Sequence, residues 1–329
     1  MNINIRKCHG SGNDFLLIDE ISMPYTFSEE DRQNLSITLC DRNTELGADG
    51  ILFVMKSDKA DAKMRVFNAD GSEASMCGNG LRCVGRYVCE LLQKDEIRVE
   101  TMKAILKVNK SDSIFNELPT YCVEISPVLF SLDALPMNLN QEQLVNEKIH
   151  ELSDQLLFSA VAVPNPHLIT FVDKEMMRTN TQRMISEYVN GPNQLFPDGV
   201  NVSFVHSVEK GVIYVRTFER GVGFTNACGT AMSASSLISC ILSLNNYEEE
   251  IDVYNNGGKV RCVVHKSDQT YWIELIGNAT YLYDAEIIIN NNQSSFEVSS
   301  TTHYKEEQIQ YEQLETHAKE YVEKIIFLT

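Results

Sequence analysis

The sequence predicts an α+β protein built from two similar halves. Short strand patterns separated by turn residues dominate the chain, for example NINIRKC, FLLID, ILFVM and KMRVF. Long helical patterns are fewer, and two of them directly follow a glycine-containing loop that ends in a cysteine. The order of strand, glycine loop, cysteine and helix therefore occurs once in each half, which indicates an internal duplication.

The first copy of this arrangement runs from the strand KMRVF through the loop NADGSEASM to Cys77. Residues 78–92 predict a helix, because apolar side chains recur there at helical spacing. Those side chains belong to Leu81, Val84, Val88 and Leu91. The helix is thus expected to begin directly after the cysteine. Another helix is predicted earlier in this half, from Glu29 to Cys40.

The second copy consists of the strand GVIYVRTF, the loop ERGVGFTNA and Cys228. Residues 229–242 predict a helix that is apolar or small nearly all round, which favours burial inside the fold. In each copy a loop glycine precedes the cysteine, by six residues for Gly71 and by seven for Gly221. Order, chemistry and helix type therefore agree between the copies.

Polar segments predict irregular structure at several points. The segment HGSGND, residues 9–14, predicts a loop between the first two strands, and residues 111–157 have little periodicity and are expected to connect the halves. Residues 291–329 predict a polar linker followed by an amphipathic helix, which would lie on the protein's own surface or on a neighbouring subunit. Its apolar positions are Tyr304, Tyr311, Leu314, Ala318, Tyr321, Val322 and Ile325.

Composition limits the classes of function. The 329 residues are 43% hydrophobic and 22% charged, which is typical of a globular protein with one large or two ordinary domains. The formal net charge of -18 argues against binding to nucleic acid or to an anionic membrane. No stretch approaches about eighteen apolar residues, and the start MNINIRKCHGSGNDF lacks the apolar region of a secretory signal, so a cytoplasmic location is expected.

The cysteines point to free thiols rather than to disulfides or zinc. Nine are present, an odd number at irregular spacings without a C-x-x-C pair. Most are expected to be buried and inert, including Cys83 and Cys89 on the first helix, and no metal site is expected. Cys77 and Cys228 could be ordinary thiols at helix caps, but their shared position favours a chemical role.

A helix start changes the chemistry of a thiol placed there. It offers unpaired N–H donors and about half a unit of positive charge, so it binds anions and lowers a thiol pKa. Gly78 and Gly229 leave room for a carboxylate to approach those donors. Each copy therefore predicts a carboxylate cradle beside a reactive sulfur.

Two such cradles suit racemisation or epimerisation at a carbon next to a carboxylate. One thiolate would remove a proton from one face, and the other thiol would return a proton to the opposite face. Oriented amides in a dry cleft would stabilise the intermediate carbanion, so no pyridoxal phosphate and no other cofactor is expected. No dinucleotide fingerprint in the right setting and no P-loop accompany these residues.

A series of segments makes the sequence similar to the diaminopimelate epimerase family, whose members interconvert LL- and meso-diaminopimelate without a cofactor. The segments follow the family's order over about residues 1–288. They are KCHGSGNDF (7–15), LGADG (46–50), NADGSEASMCGNG (68–80), PNPH (164–167), FPDGVNVSFV (196–205), ERGVGFTNACGT (219–230) and GGKV (257–260).

The resemblance implies two pseudo-symmetric domains, each a barrel-like mixed sheet wrapped around a central helix, with the site in the cleft between them. The expected limits are residues 1–124, completed by about 281–290, for the N-terminal half and 125–280 for the C-terminal half, with 291–329 outside both. The implied role is in lysine and peptidoglycan precursor synthesis, with an amino acid as the small-molecule partner. An exposed strand edge or the tail helix would allow a homodimer.

The resemblance also assigns roles to individual residues, with Cys77 and Cys228 as the catalytic thiols. A substrate with two amino acid ends calls for an arginine fork and for carboxylate or amide acceptors. As isolated residues the asparagines would be turn residues, and the acid and arginine a surface pair. His167 is expected to order its loop and to transfer no proton. The implied substrate-binding residues are Asn13, Asn68, Gly78, Asn79, Asn165, Asn201, Glu219, Arg220, Gly229 and Thr230.

Two positions depart from the family's pattern, and other functions stay open. Phe224 replaces the usual glutamate of R-G-x-G-E-T, and Ala231 replaces a usual glycine, which bears on the substrate accepted. One alternative is a racemase of another amino acid on the same fold, against which Glu219 and Arg220 argue. Another is a non-catalytic amino acid-binding or thiol redox protein. An isomerase of the phenazine-biosynthesis kind is disfavoured by the two cysteines.

Overall fold

The computed structural model describes residues 1–268, 270–290 and 293–327. The chain forms two compact units. The first contains Met1–Val123 and Ile276–Gln313, and the second contains Glu124–Leu275 and Leu314–Thr329. The sequence places the domain limits near residues 124 and 280 and leaves the tail outside both halves, whereas in the structure each unit includes part of the tail.

The helices and strands follow one another along the chain with short connections. The first elements are β1 (Asn2–Gly10), β2 (Asn13–Asp19), α1 (Glu29–Leu39), β3 (Gly50–Met55), β4 (Ala62–Asn68), β5 (Glu73–Ala74), α2 (Gly78–Leu92), β6 (Glu96–Glu100), β7 (Ile105–Ser111) and β8 (Thr120–Ile125). A 3₁₀ turn at Leu132–Ala134 precedes β9 (Ser159–Ala162), β10 (Pro166–Phe171), α3 (Lys174–Met177), α4 (Thr181–Asn190), β11 (Asn201–Glu209), β12 (Val212–Glu219) and β13 (Gly223–Phe224). The last elements are α5 (Gly229–Ile241), β14 (Glu250–Asn255), β15 (Gly258–Ser267), β16 (Thr270–Asn278), β17 (Thr280–Ile289), β18 (Phe296–His303), α6 (Lys305–Val322) and a π-helical turn at Glu323–Phe327.

Strand pairing confirms the internal duplication. In the first unit β1–β2 is antiparallel, β2–β3 parallel, β3–β4 antiparallel, β4–β6 parallel and β6–β7 antiparallel. In the second unit β9–β10, β10–β11, β11–β12, β12–β14 and β14–β15 repeat this alternation in the same order. Each unit is therefore a mixed sheet with the same connectivity, as the sequence predicts.

A buried helix fills the curve of each sheet. Helix α2 packs against β1, β2, β3, β4, β6 and β7, and α5 packs against β9, β10, β11, β12, β14 and β15. Nearly every residue of α5 is buried, including several serines whose hydroxyls can bond to the preceding helical turn, as Ser233 does to the Gly229 carbonyl at 3.0 Å. Small side chains let the surrounding strands approach the helix closely. Both helices begin directly after a cysteine, so the fold itself fixes where the thiols stand.

The segment HGSGND is a tight hairpin rather than the predicted loop. Strand β1 continues to Gly10 and β2 begins at Asn13, and these two residues pair across a two-residue turn. Ser11 and Gly12 both have positive φ, 55° and 81°, which suits the twist of a short hairpin. Sequence analysis misses the turn because serine rarely adopts this conformation.

The predicted linker contains a strand. Residues 296–303 form β18, which pairs antiparallel with β17. Phe296 and Val298 alternate with polar residues at the two-residue period of a strand, and both pack against the core of the first unit. The predicted amphipathic helix is α6, which buries Tyr311 in the first unit and Leu314 and Ala318 in the second. Within the described ranges, no helix is long and apolar enough to cross a membrane.

Candidate active site

Cys77 caps the N-terminus of α2 with an extended backbone, φ -143° and ψ 111°. The amide of Gly80, in the first helical turn, donates a hydrogen bond to the Cys77 sulfur at 3.4 Å. Cys77 is partly exposed, whereas the other eight cysteines, none of them in a disulfide, are buried. The helix start therefore presents this sulfur, and helix geometry leaves the Gly78 and Asn79 amides without acceptors in their own helix.

Two asparagine amides adjoin the Cys77 thiol. The Asn13 Oδ1 atom lies 3.6 Å from the sulfur and accepts the thiol proton, and the Asn79 side chain donates to the same oxygen at 3.2 Å. Asn13 begins β2, directly after the tight turn, and Asn79 lies in the first turn of α2. The hairpin and the helix start thus meet at the thiol, and the structure brings together Asn13, Cys77, Gly78 and Asn79.

A buried arginine connects this hairpin to α2. Arg82 is fully buried, and its guanidinium donates to Asn79 Oδ1 at 3.0 Å and to Ser11 Oγ at 3.1 Å. The Ser11 amide in turn donates to the Asn278 side chain at 2.9 Å. A Cβ on Gly10 would lie 2.8 Å from the Arg82 guanidinium, so glycine permits this close approach. The positions of Asn13 and Asn79 are therefore determined by packing as well as by chain direction.

Asn68 lies at the end of β4, in the turn that precedes Cys77. Its side chain donates to Ser72 Oγ at 3.0 Å, and its backbone N–H donates to the Ser72 carbonyl at 2.8 Å. The side chain is exposed. These contacts fit the turn role considered above, and Asn68 as a substrate ligand stays a prediction.

Cys228 caps the N-terminus of α5 in the second unit and is 8% exposed. Burial and the neighbouring Glu219 carboxylate raise the pKa of the Cys228 thiol well above its usual value. The Thr230 hydroxyl, 3.5 Å from the sulfur, and the Ala231 amide act in the opposite direction. The structure thus places Glu219 and Thr230 beside the thiol, and burial and the Glu219 carboxylate both favour the protonated form of Cys228.

The Glu219 carboxylate is positioned by the loop that leads to Cys228. It accepts a hydrogen bond from the Thr225 hydroxyl at 2.6 Å. The next residue, Arg220, donates its amide to Asn201 Oδ1 at 2.9 Å and its guanidinium to the Asp198 carbonyl at 2.9 Å. The Arg220 side chain is exposed, and these two hydrogen bonds hold its backbone and its guanidinium. The end of β12 therefore presents a carboxylate and a guanidinium from adjacent residues. Asn201, at the start of β11, holds the backbone amide of the second of them.

Asn165 and His167 adjoin the turn between β9 and β10. The Asn165 carbonyl accepts the Val163 amide at 3.0 Å, and His167 pairs with Asn201 in the parallel register of β10 and β11. His167 is fully buried, and neither ring nitrogen has a hydrogen-bond partner among the described residues. Burial, and secondly the Arg220 charge, lower its pKa to about 3. His167 is therefore a buried imidazole whose ring makes no hydrogen bond to the described residues, and its role in ordering the loop stays a prediction.

Phe224 lies on the short strand β13 and contacts aromatic and cationic side chains. Its ring meets the Phe218 ring edge-on with centroids 5.2 Å apart. The guanidinium carbons of Arg183 and Arg216 lie 5.1 and 5.6 Å from its centroid. Phe224 thus packs against one aromatic ring and two guanidinium groups, to which its ring is attracted by cation–π interaction.

Several residues that hold these side chains in place are not among the predicted site residues. Arg82 and Ser11 hold the first hairpin, Asp49 accepts from Asn13, and Thr225 holds Glu219. A partial signal exists for Ser11, Asp49 and Thr225, since they lie in the segments KCHGSGNDF, LGADG and ERGVGFTNACGT. Arg82 has no such signal, because it contacts Ser11 from a distant part of the chain.

Comparison with known proteins shows the family of the chain. A sequence profile described as diaminopimelate epimerase matches residues 5–115 and 159–282. The chain belongs to the diaminopimelate epimerase family. It is 51% identical over 326 residues to a diaminopimelate epimerase of Listeria monocytogenes, covering 97% of this chain and 98% of the relative. It is 51% identical over 285 residues to that of Enterococcus faecalis, covering 85% and 87%.

Solved structures confirm the fold of this family member. A phenazine biosynthesis protein of the PhzF family from Bacillus anthracis matches with a TM-score of 0.65 and 18% identity, over 88% of this chain and 100% of that chain. A hydroxyproline epimerase from Agrobacterium vitis matches with a TM-score of 0.56 and 12% identity, over 89% and 97%. At these identities the likeness concerns the fold alone.

Proposed function

We propose that the protein is an isomerase that converts LL-diaminopimelate to meso-diaminopimelate with Cys77 and Cys228 as its two bases. The observation that carries this proposal is the placement of one thiol at the start of each duplicated central helix, within a chain of the diaminopimelate epimerase family. Family membership supports the reaction, and the two helix starts support the choice of residues.

The proton transfer is balanced without any oxidant or cofactor. A thiolate takes the α proton, so the C–H bond breaks and an S–H bond forms, while the electron pair delocalises into the substrate carboxylate. The second thiol then donates its proton to the opposite face of the carbon and becomes the thiolate. The raised pKa of Cys228 supports a protonated thiol as one member of the pair.

The substrate carboxylate binds to the helix starts in this proposal. The amides of Gly78, Asn79, Gly229 and Thr230 lie in the first helical turns, where N–H groups lack intrahelical acceptors and the helix dipole favours negative charge. These donors stabilise the charge that develops on the carboxylate as the proton leaves.

The second amino acid end of the substrate binds to polar side chains. The Arg220 guanidinium is a fork suited to a carboxylate, and amide and carboxylate oxygens suit an ammonium group. The set consists of Asn13, Asn68, Asn165, Asn201, Glu219 and Arg220. Arg220 is exposed and already held through its backbone by Asn201, which supports its availability to a ligand.

The proposal includes a location and an assembly state. Nine cysteines outside any disulfide and a thiol-dependent reaction fit a reducing compartment, and we assign the protein to the cytoplasm. The exposed residues of β18 fit a homodimer built on a sheet edge. Light scattering of the reduced protein tests the dimer, and a monomer at micromolar concentration would exclude it.

The decisive experiment follows the α proton of the substrate. The reduced protein is incubated with LL-diaminopimelate in heavy water without pyridoxal phosphate, and proton NMR records the α-proton signal and the appearance of the meso isomer. Loss of the signal with meso product is expected. Folded, reduced protein that causes no exchange would contradict the proposal, and exchange of a different amino acid in the same assay would favour a racemase.

A further inference from the structure

The amides beside Cys77 form one directed chain of hydrogen bonds in the first unit. The Arg82 guanidinium donates to Asn79 Oδ1 at 3.0 Å, and the Asn79 amide nitrogen donates to Asn13 Oδ1 at 3.2 Å. The Asn13 amide nitrogen then donates to Asp49 Oδ2 at 2.6 Å. The Cys77 thiol joins this chain as a second donor to Asn13 Oδ1, at 3.6 Å.

The charges at the two ends determine which way each amide points. A guanidinium can only donate, so Asn79 must present its oxygen to Arg82 and its nitrogen to Asn13. A carboxylate can only accept, so Asn13 must present its nitrogen to Asp49 and its oxygen to Cys77. Reversing either amide would place like groups against each other. The orientation of the Asn13 side-chain amide is therefore determined by the donor and acceptor groups on either side of it.

Asp49 is itself held in place by several donors. Its Oδ1 atom accepts from the Arg42 guanidinium at 2.6 Å, and its Oδ2 atom also accepts from the Asp14 amide at 3.1 Å. The Asp49 amide donates to the Asp14 carbonyl at 3.0 Å. Its side chain is 45% exposed, so replacement leaves no cavity in the core. These contacts keep the carboxylate facing Asn13 without making it part of the hydrophobic packing.

We propose that Asp49 is a positioning residue for Cys77, acting through the side chain of Asn13. By holding the Asn13 amide in one orientation, it presents an acceptor that directs the Cys77 S–H bond and favours the protonated thiol. If Asn13 rotated, its NH₂ group would face the sulfur and would favour the thiolate instead. This inference deepens the proposed function, since it rests on Cys77 being one of the two bases.

The test uses Asp49→Asn, which keeps the size of the side chain and allows it to donate to Asn13 as well as to accept. Alkylation of Cys77 by iodoacetamide at pH 7, measured by mass spectrometry of its peptide, is expected to rise about fivefold because the thiolate becomes more populated.

A double-mutant cycle separates this role from a general loosening of structure. In an Asn13→Ala background, Asp49→Asn is expected to change the Cys77 alkylation rate by less than about twofold, because the intermediary is absent. Asp41→Asn is the matched control, since it removes the same charge from the same loop and the Asp41 carboxylate accepts hydrogen bonds from the neighbouring Asn43. Alkylation of Cys83, buried on α2, reports whether the helix stays packed.

Three outcomes would overturn the inference. Unchanged Cys77 alkylation in Asp49→Asn would show that the carboxylate does not act on the thiol. An equal rise in the Asn13→Ala background would remove Asn13 as the intermediary, and a parallel rise at Cys83 would indicate a structural role. Because alkylation needs no turnover, these readings remain valid even if the heavy-water assay contradicts the proposed function.

Discussion

The two cysteines stand at matching helix starts, yet their polar neighbours differ in charge. Cys77 donates to the neutral amide oxygen of Asn13, whereas Cys228 lies beside the carboxylate of Glu219. Cys77 is partly exposed and Cys228 is buried. The duplicated units therefore share the backbone geometry that presents a thiol and differ in the group that controls its proton. The fold supplies the shared part, and single side chains supply the difference.

The largest expected effect comes from removing either thiol. Cys77→Ala and Cys228→Ala are each expected to lower the epimerisation rate by at least about 1000-fold, because each face of the carbon loses its only proton donor or acceptor. Conversion of LL- to meso-diaminopimelate measured by NMR checks this. Cys83→Ala and Cys240→Ala, buried thiols on the same two helices, should retain activity within about threefold. A near-normal rate in either catalytic variant would contradict the two-base assignment.

Glu219→Gln sharpens the comparison, because it replaces the charged neighbour of Cys228 with a neutral amide like the one beside Cys77. Burial and then the Glu219 charge raise the Cys228 pKa, so removing the charge should lower it. Cys228 alkylation at pH 7 is expected to rise about tenfold and kcat to fall about 100-fold. The glutamine oxygen can still accept from Thr225, which limits structural change.

The control for this substitution is Glu209→Gln, which removes an exposed carboxylate from the same unit at the end of β11. It should leave Cys228 alkylation and turnover within about twofold of the unmodified protein. If Glu219→Gln gave the same small response as this control, the carboxylate would have no specific influence on the thiol. Cys77 alkylation in the same samples serves as an internal reference.

Much of the fold can be predicted from sequence, because local patterns decide it. Helix α2 spans the residues that its apolar spacing predicts, and the duplication appears in the matched glycine loops. The hairpin at Ser11 and the strand β18 are missed, since one depends on an uncommon φ and the other on a polar strand pairing with β17. The thiols are predictable from their position at helix starts.

The neighbours of the thiols are harder to predict from the sequence. Ser11 bonds to Asn278 across 267 positions of the chain, and no local pattern indicates such a contact. The directed chain from Arg82 to Asp49 depends on the exact turn of the β1–β2 hairpin, which the sequence analysis interprets as a loop. Residues that touch the substrate can be inferred by resemblance, whereas residues that orient them require the packed structure.

Buried histidines offer a smaller, stability-based comparison of the two units. Burial lowers the pKa of His9 to about 4 in the first unit and that of His167 to about 3 in the second. In the unfolded chain each of these histidines takes up a proton near pH 6.5. In the folded chain each does so only when the pH falls to its lowered pKa. The free energy of unfolding should therefore fall from pH 6.5 to pH 4.5, by about 1.4 kcal/mol per pH unit for each histidine.

Two substitutions measure these contributions separately. His9→Asn keeps an acceptor for the Gly12 amide, which donates to His9 Nδ1 at 3.2 Å, and His167→Phe removes a ring whose nitrogens lack partners among the described residues. Thermal unfolding at pH 6.5 and pH 4.5 should show a smaller loss of stability in each variant than in the unmodified protein. An equal loss in all three proteins would assign the acid sensitivity to carboxylates instead.

The smallest expected effect concerns Phe224, on the short strand β13 of the second unit. Phe224→Leu removes one aromatic contact and two cation–π contacts and should lower the free energy of unfolding by about 1 to 2 kcal/mol. Phe224→Glu replaces the cation–π contacts with ion pairs to Arg183 and Arg216. Its free energy of unfolding should therefore fall by less, under about 1 kcal/mol. Urea unfolding of the two variants tests this order.

Because its contacts are with Phe218 and these arginines rather than with proposed substrate ligands, the KM for LL-diaminopimelate should change less than about threefold in Phe224→Glu. A tenfold change would instead make Phe224 a residue of substrate recognition and would extend the difference between the two units from proton control to specificity.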